Sequence, residues 1–421
     1  MIFYNMYSKN TILSLFCFIW LLCGFCVLGC NSQGSTAKNK VEVNDTATNS
    51  VNEPDNNLSS TNEWYKRFEG TIGNLQVVVN LSLFDTSLAG NYYYVKRGEF
   101  IDIDGVKANN NEWQLKETTI EGEETGSFLG NYDDKLQTFS GTWKDAGGKI
   151  SLPIKLTEAY NEGAWQFNLL NRTLQKGSCP NPPCLEVVLS YFESGKNIHS
   201  PAKEAINTNE LQQAKGFMLA FGENTSDTAN VSLDEAFNIL DKTYQNMVDE
   251  MLPDTASFGS YALYWSLTRR SKILTNTAPV VVMSEDAYSY TGGAHGMNST
   301  MYYNYNMKNG SFITAKELFT DTTQLRKVLL QKLRKKYKLK PSQPLQDVLL
   351  VTDSDFYITP NFYLAPGGIG FVYNPYEIGP YAMGIITIFM SYEDVKTLLK
   401  PNNALDNMRS ELKIAAGGLA K

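Results

Sequence analysis

Residues 288–319 read YSYTGGAHGMNSTMYYNYNMKNGSFITAKELF, and the C-terminal half of the chain is organised around this stretch. Two aromatic segments, residues 288–290 and 301–305, flank a loop of Thr291, Gly292, Gly293, Ala294, His295 and Gly296. The glycines take positive φ at little cost, so the loop turns sharply or lets a partner approach its backbone. Tyr302, Tyr303 and Tyr305 favour a pleated surface, and Asn309-Gly310 is a hairpin-type turn signal. Thr314 followed by Glu317 is a capping box that opens a short helical turn.

Working outward, strands are expected at residues 185–192, 261–268, 271–276 and 280–283 before the loop, and at 356–364, 370–376 and 383–389 after it. Ser232 and Glu235 cap a helix whose Leu233, Phe237, Leu240, Tyr244 and Val248 recur at helical spacing until Pro253. Asp321 and Gln324 open another, with Leu325, Val328, Leu329 and Leu333 inward. Its outer side carries Arg326, Lys327, Lys332, Arg334, Lys335, Lys336, Lys338 and Lys340, read either as a solvated face or as a dock for anionic lipid or glycan. Residues 392–399 read as a closing helix. Strands mixed with a few helices, without βαβ alternation, give an α+β domain with an antiparallel sheet over residues 180–400, then a tail at 401–421.

Upstream, residues 63–160 have period two. Val77, Val79, Leu81 and Leu83 alternate with Val78, Asn80 and Ser82, and Gly-rich turns punctuate such runs. This predicts an all-β antiparallel meander or small barrel, with Pro153 placing its strand at an edge. Asp102 and Asp104 share a strand face and read as solvated. Residues 161–179 are read as a connector.

The first residues are a processing segment. An apolar run, residues 12–27, ends in Val27-Leu28-Gly29-Cys30, which resembles the bacterial lipobox. That resemblance implies a lipoprotein signal peptide at 1–29 and fatty acylation of Cys30; the alternative is an uncleaved anchor helix. Either way the remainder is extracytoplasmic and membrane-tethered; for the lipid-anchored form the expected place is the outer membrane, facing the periplasm. Residues 30–62, polar and nearly free of aromatics, form a flexible tether. Of six cysteines only Cys179 and Cys184 lie in the body, and an even pair in an oxidising compartment is most simply a disulfide.

The aromatic-GGAHG loop, the NG turn and the later segment Tyr376-Glu-Ile-Gly-Pro-Tyr-Ala-Met-Gly384 together resemble one family over roughly residues 180–400. It is the extracytoplasmic domain of the lysozyme-sensing anti-sigma factor RsiV, shared with the non-catalytic part of the peptidoglycan deacetylase PdaC. The resemblance implies a sensor-type binding domain. Its matching positions make Tyr290, Gly292, Gly293, His295, Tyr376, Glu377 and Tyr381 the ligand-binding candidates.

Chemistry-bearing motifs are few. The 421-residue chain has net charge −7 and a pI near 5.2, which argues against nucleic acid as partner. His199 and His295 are the only histidines, and the chain has no GxSxG, Walker A or dinucleotide fingerprint. No metal and no cofactor are expected, since zinc needs about four ligands from a Cys or His cluster. His295 reads either as a loop-capping residue or as a ligand contact. The expectation is a lipid-anchored, non-enzymatic envelope protein recognising lysozyme or a peptidoglycan fragment. The rivals are an envelope hydrolase or transferase using His295, and a structural lipoprotein.

Overall fold

The computed structural model describes residues 63–108, 110–119, 122–160, 163–222, 230–254 and 259–412. The expected signal peptide, acylation of Cys30 and tether fall outside the described residues. The described residues belong to one compact unit, Leu58–Lys421.

The period-two region closes into a barrel. Its strands are β1 (Trp64–Ile72), β2 (Leu75–Phe84), β3 (Ser87–Tyr94), β4 (Ile101–Lys107), β5 (Glu112–Thr118), β6 (Glu124–Asp133), β7 (Thr138–Asp145) and β8 (Ser151–Glu158). Each pairs antiparallel with the next, and β8 returns to β1 through pairs from Phe68↔Glu158 to Ile72↔Ile154. Alternate residues point inward, where Phe68, Val79, Leu81, Trp113, Phe128, Phe139 and Leu156 fill the interior. Trp113 stacks between Tyr132 and Phe139 at ring separations of 4.8 and 5.1 Å. Pro153 lies on no edge strand, because closure removes the edges. It pairs with Thr142 of β7 but lies beyond the β1–β8 ladder, where a missing N–H costs nothing.

Residues 161–179 contribute more than a connection. Strand β9 (Phe167–Gly177) pairs along its whole length with β10 (Cys184–Ser194), and the Cys179–Cys184 disulfide closes that hairpin with Cα atoms 5.1 Å apart. Helices α1 (Ala202–Leu219) and α2 (Leu233–Met251) then cross over to β11 (Tyr264–Asn276), which lies parallel to β10. The sheet is therefore mixed, because a long helical crossover permits the parallel pairing that a hairpin forbids. The two segments read at 261–268 and 271–276 are one strand with an irregularity between Ile273 and Thr275. Strands β12 (Val280–Thr291) and β13 (Met297–Asn306) complete the order β13-β12-β11-β10-β9. Beneath α1, fully buried Arg269 pairs with Glu285 at 3.0 Å and donates to Ser190 O at 2.6 Å, while Tyr305 donates to buried Glu210 at 2.9 Å.

A three-stranded sheet follows: β14 (Phe362–Ala365), β15 (Gly368–Tyr373) and β16 (Ile386–Ser391). The Thr314/Glu317 capping box forms on α3 (Ala315–Leu318), and Asp321 caps α4 (Thr322–Lys336), which buries Leu325, Leu329 and Leu333. Three cations of α4 have internal partners. Arg326 donates to Phe356 O, Arg334 donates to Asp353 and to Gln343 O, and Lys332 pairs with Asp394 at 2.6 Å. The closing helix shrinks to one turn, α5 (Tyr392–Val395). The stretch 401–421 contributes α6 (Ala404–Glu411), capped by Asn403 and burying Leu405 and Met408, because apolar residues three apart share a helix face.

Side-chain amides join the parts. At the β11 irregularity the free Leu274 carbonyl accepts from Asn80 (2.9 Å) and Asn91 (3.1 Å) of the barrel, and Arg67 donates to Asn276 O at 3.1 Å. Along the outer edge of β13, Asn304 donates to Phe362 O (2.7 Å) and accepts from Leu364 N (2.8 Å). Asn361 donates to Thr300 O (2.8 Å) and accepts from Tyr302 N (2.9 Å). Asn374 accepts from Thr300 N at 2.8 Å. Three asparagines thus supply the donors and acceptors that another strand would have offered.

Candidate functional site

The asparagine seam decides where the site lies. β12 and β13 pair from Val280↔Asn306 to Ser289↔Met297, so residues 292–296 form the tip of a long hairpin. Gly292 and Gly293 adopt φ of +87° and +98°, the left-handed region that a side chain would resist. Tyr290 Oη donates to Gly293 O across the tip at 3.1 Å. Gly296 lies under the Tyr288 ring, which a Cβ there would approach to 2.4 Å and push aside.

Asn374, fixed to β13, begins the second segment. Glu377 Oε2 accepts from Asn374 N at 3.0 Å, and Tyr376 N donates to Gly379 O at 3.0 Å, closing a tight turn. Tyr376 sits at φ +70°, unusual for a bulky residue, with its ring 42% exposed. The turn delivers Tyr381, on a short 3₁₀ turn (Tyr381–Met383), to the hairpin tip.

The two sequence motifs therefore meet. The His295 ring stacks on Tyr381 at 4.1 Å and 24°, and Tyr381 lies 5.9 Å from Tyr376 at 28°. Tyr381 Oη donates to Gly296 O at 2.8 Å, locking the contact. His295 Nδ1 lies 2.9 Å from the same carbonyl. A carbonyl only accepts, so Nδ1 carries the proton and Nε2 on this exposed ring is left to engage a partner. Burial holds the Glu377 carboxyl above its ordinary value, partly offset by its bond from Asn374 N.

Of the sequence candidates, His295, Tyr376 and Tyr381 form the stack, Gly292, Gly293 and Tyr290 shape the hairpin tip, and Glu377 braces the second turn. Tyr288 and Met301, read from the sequence only as flanks of the loop, and Tyr357, not singled out, are also exposed, by 36%, 36% and 39%. Tyr288 covers Gly296, and the Met301 sulfur lies 3.8 Å from Asn374 Nδ2. Tyr288 and Tyr290 alternate with Ser289, which was the available signal that both project on one strand face. Nothing local marked Tyr357. Among the described residues no group of three or more His, Cys, Asp or Glu is placed to hold a metal ion.

Comparison with known proteins adds the following. No curated protein matches the chain. A solved member of the DUF3298 family from Bacteroides fragilis NCTC 9343 is 24% identical with a TM-score of 0.50, covering 59% of this chain and 98% of that one. A DUF3298 family protein from Pseudomonas aeruginosa PAO1 is 18% identical with a TM-score of 0.40, over 59% of this chain and 98% of that one. The first likeness is one of fold. Residues 316–393, which include the turn carrying Tyr376, Glu377 and Tyr381, match the model of DUF3298, a protein family of unknown function.

Proposed function

We propose that this chain is a lipid-anchored, non-enzymatic binding protein of the bacterial envelope that uses the His295–Tyr381–Tyr376 stack to recognise a protein such as lysozyme or a peptidoglycan fragment. The observation that carries this reading is the convergence of two separate Gly-rich segments on one exposed aromatic surface, held by the Tyr381–Gly296 bond. Clustered aromatics with a few polar tips are suited to protein and sugar contacts, since they offer area at low entropic cost. The partner of His295 Nδ1 is a backbone carbonyl rather than a carboxylate, which favours recognition over general-base chemistry. The resemblance of both segments to the RsiV and PdaC outer domain supports a sensor-type role, and the Val27-Leu28-Gly29-Cys30 ending supports the anchor.

The test is capture of lysozyme and of peptidoglycan fragments by the purified chain, beside a Tyr381→Ala variant. Saturable capture that the variant loses is expected. Equal capture by both proteins would remove the stack from the proposal, and capture of neither ligand would remove the ligand assignment. Cys30→Ala tests the anchor separately: the exported variant should no longer take up a fatty-acid probe, and persistent labelling would sink the lipoprotein reading.

A further inference from the structure

The barrel carries a second concave site, independent of the aromatic stack. At the end where β3 leads into β4 and β5 into β6, a cavity of about 310 Å³ is lined by Tyr94, Arg97, Phe100, Glu117 and Thr125, with exposed Glu99 as a second acid. Small-molecule sites span about 300–1,000 Å³ and place a few polar groups among apolar walls, so this cavity stands at the lower end of that range.

Glu117 lies at its base and is only 6% exposed. Its Oε2 accepts from Tyr92 Oη at 2.7 Å and from Trp143 Nε1 at 2.7 Å, and its Oε1 accepts from Thr125 Oγ1 at 2.6 Å. An ionised carboxylate offers about four lone-pair positions, so about one remains. All three donors are neutral. A buried carboxylate held by neutral donors is oriented without any of them offsetting its charge, and the usual complement of such a group is a cation. The Tyr94 and Phe100 rings also line the cavity, and aromatic faces attract cations. Exposed Arg97 also lines the cavity, bringing a positive charge beside the Tyr94 ring.

We propose that the barrel mouth binds a small molecule or side chain bearing a primary ammonium group, with Glu117 as the anchor, the Tyr94 and Phe100 rings as walls, and Arg97 as an opposing charge that limits affinity. The indole N–H of Trp143 reports on the site, because it is bonded to the anchor itself.

The experiment titrates the full-length chain with pentylamine and with 1-pentanol, an uncharged probe of similar size and shape, while following the Trp143 indole ¹H–¹⁵N resonance. That resonance is identified by its loss in Trp143→Phe. The amine should shift it saturably, and the alcohol should not at the same concentrations. Arg97→Ala, an exposed change that leaves the Glu117 network intact, should tighten the amine response two- to threefold. Glu117→Gln should weaken it at least tenfold. Equal responses to amine and alcohol, no response to the amine, or weaker amine binding in Arg97→Ala would each overturn the proposal. The last pattern, with a response to pentanoate instead, would mark an anion site. Because Arg97→Ala is read without altering the barrel interior, the test stands even if Glu117→Gln fails to fold.

Discussion

The barrel and the β12–β13 hairpin solve the same problem in different ways. Both present strand edges that need hydrogen-bond partners. In the barrel the chain pairs β8 with β1, so backbone meets backbone around the whole circuit and Trp113 is sealed inside at 1% exposure. In the hairpin the outer edge of β13 meets the side-chain amides of Asn361 and Asn374, and its own Asn304 amide reaches the β14 backbone. A backbone ladder is tolerant of sequence, whereas an amide stitch depends on single residues. The tip beyond the stitch is thereby held in place without being buried, which suits the recognition role proposed for it.

Four substitutions and one chemical treatment test this contrast, taken from the largest expected effect. Trp113→Ala opens a cavity in the stacked interior and should cost about 3–5 kcal/mol in denaturant unfolding. A loss below about 1 kcal/mol would mean the barrel interior is not the packed unit described. Asn304→Ala leaves Phe362 O and Leu364 N buried and unpaired, for a cost of about 2–4 kcal/mol. Amide exchange should quicken at Leu364 and along β13 while the barrel strands stay protected. Uniform quickening across both regions would erase the distinction.

Reducing Cys179–Cys184 releases a short loop at the hairpin of β9 and β10, and chain-entropy reasoning puts the loss at about 2 kcal/mol. The native, unreduced protein should also resist alkylation at both cysteines; two reactive thiols there would contradict the bridge. His295→Ala removes an exposed ring, so the unfolding midpoint should barely move while ligand capture weakens by about 1 kcal/mol, or roughly fivefold. Lost stability with unchanged capture would make His295 a loop cap and nothing more.

Glu377 gives the smallest effect and a direction in pH. Burial raises its folded pKa above the ordinary 4.5, so between those two values the folded state binds more proton than the unfolded one. Stability should therefore decline as pH rises through that window. Glu377→Gln keeps an acceptor for Asn374 N and should flatten this part of the stability–pH curve. An unchanged curve would mean that another group sets it.

Much of this was legible in the sequence. Period-two alternation at residues 77–83 announced the strand, and Gly turns announced a meander, because side chains on successive residues of a strand must face opposite sides. The Thr314/Glu317 box, the Asp321 cap and the Cys179–Cys184 pair are local, and local chemistry is readable one residue at a time. The loop at 292–296 and the turn at 376–384 were each visible as Gly-rich segments. Their contact was not, since no pattern within either segment encodes the other. Strand β9 hid because Leu169-Leu170 and Asn171-Arg172 break its alternation in the middle, and α6 hid because eight residues give little periodicity.

What the sequence determined alone, then, is the inventory: β-rich first half, α+β second half, and two conspicuous aromatic and glycine motifs. Tertiary structure decided their arrangement. Long-range hydrogen bonds from Asn304, Asn361 and Asn374 set the position of the second turn against the hairpin, and only then does the Tyr381 ring reach His295. An asparagine in a sequence reads as a turn former or a surface residue. Whether its amide completes a strand edge 60 residues away depends on both segments being folded, so the decisive contacts exist only in the assembled molecule.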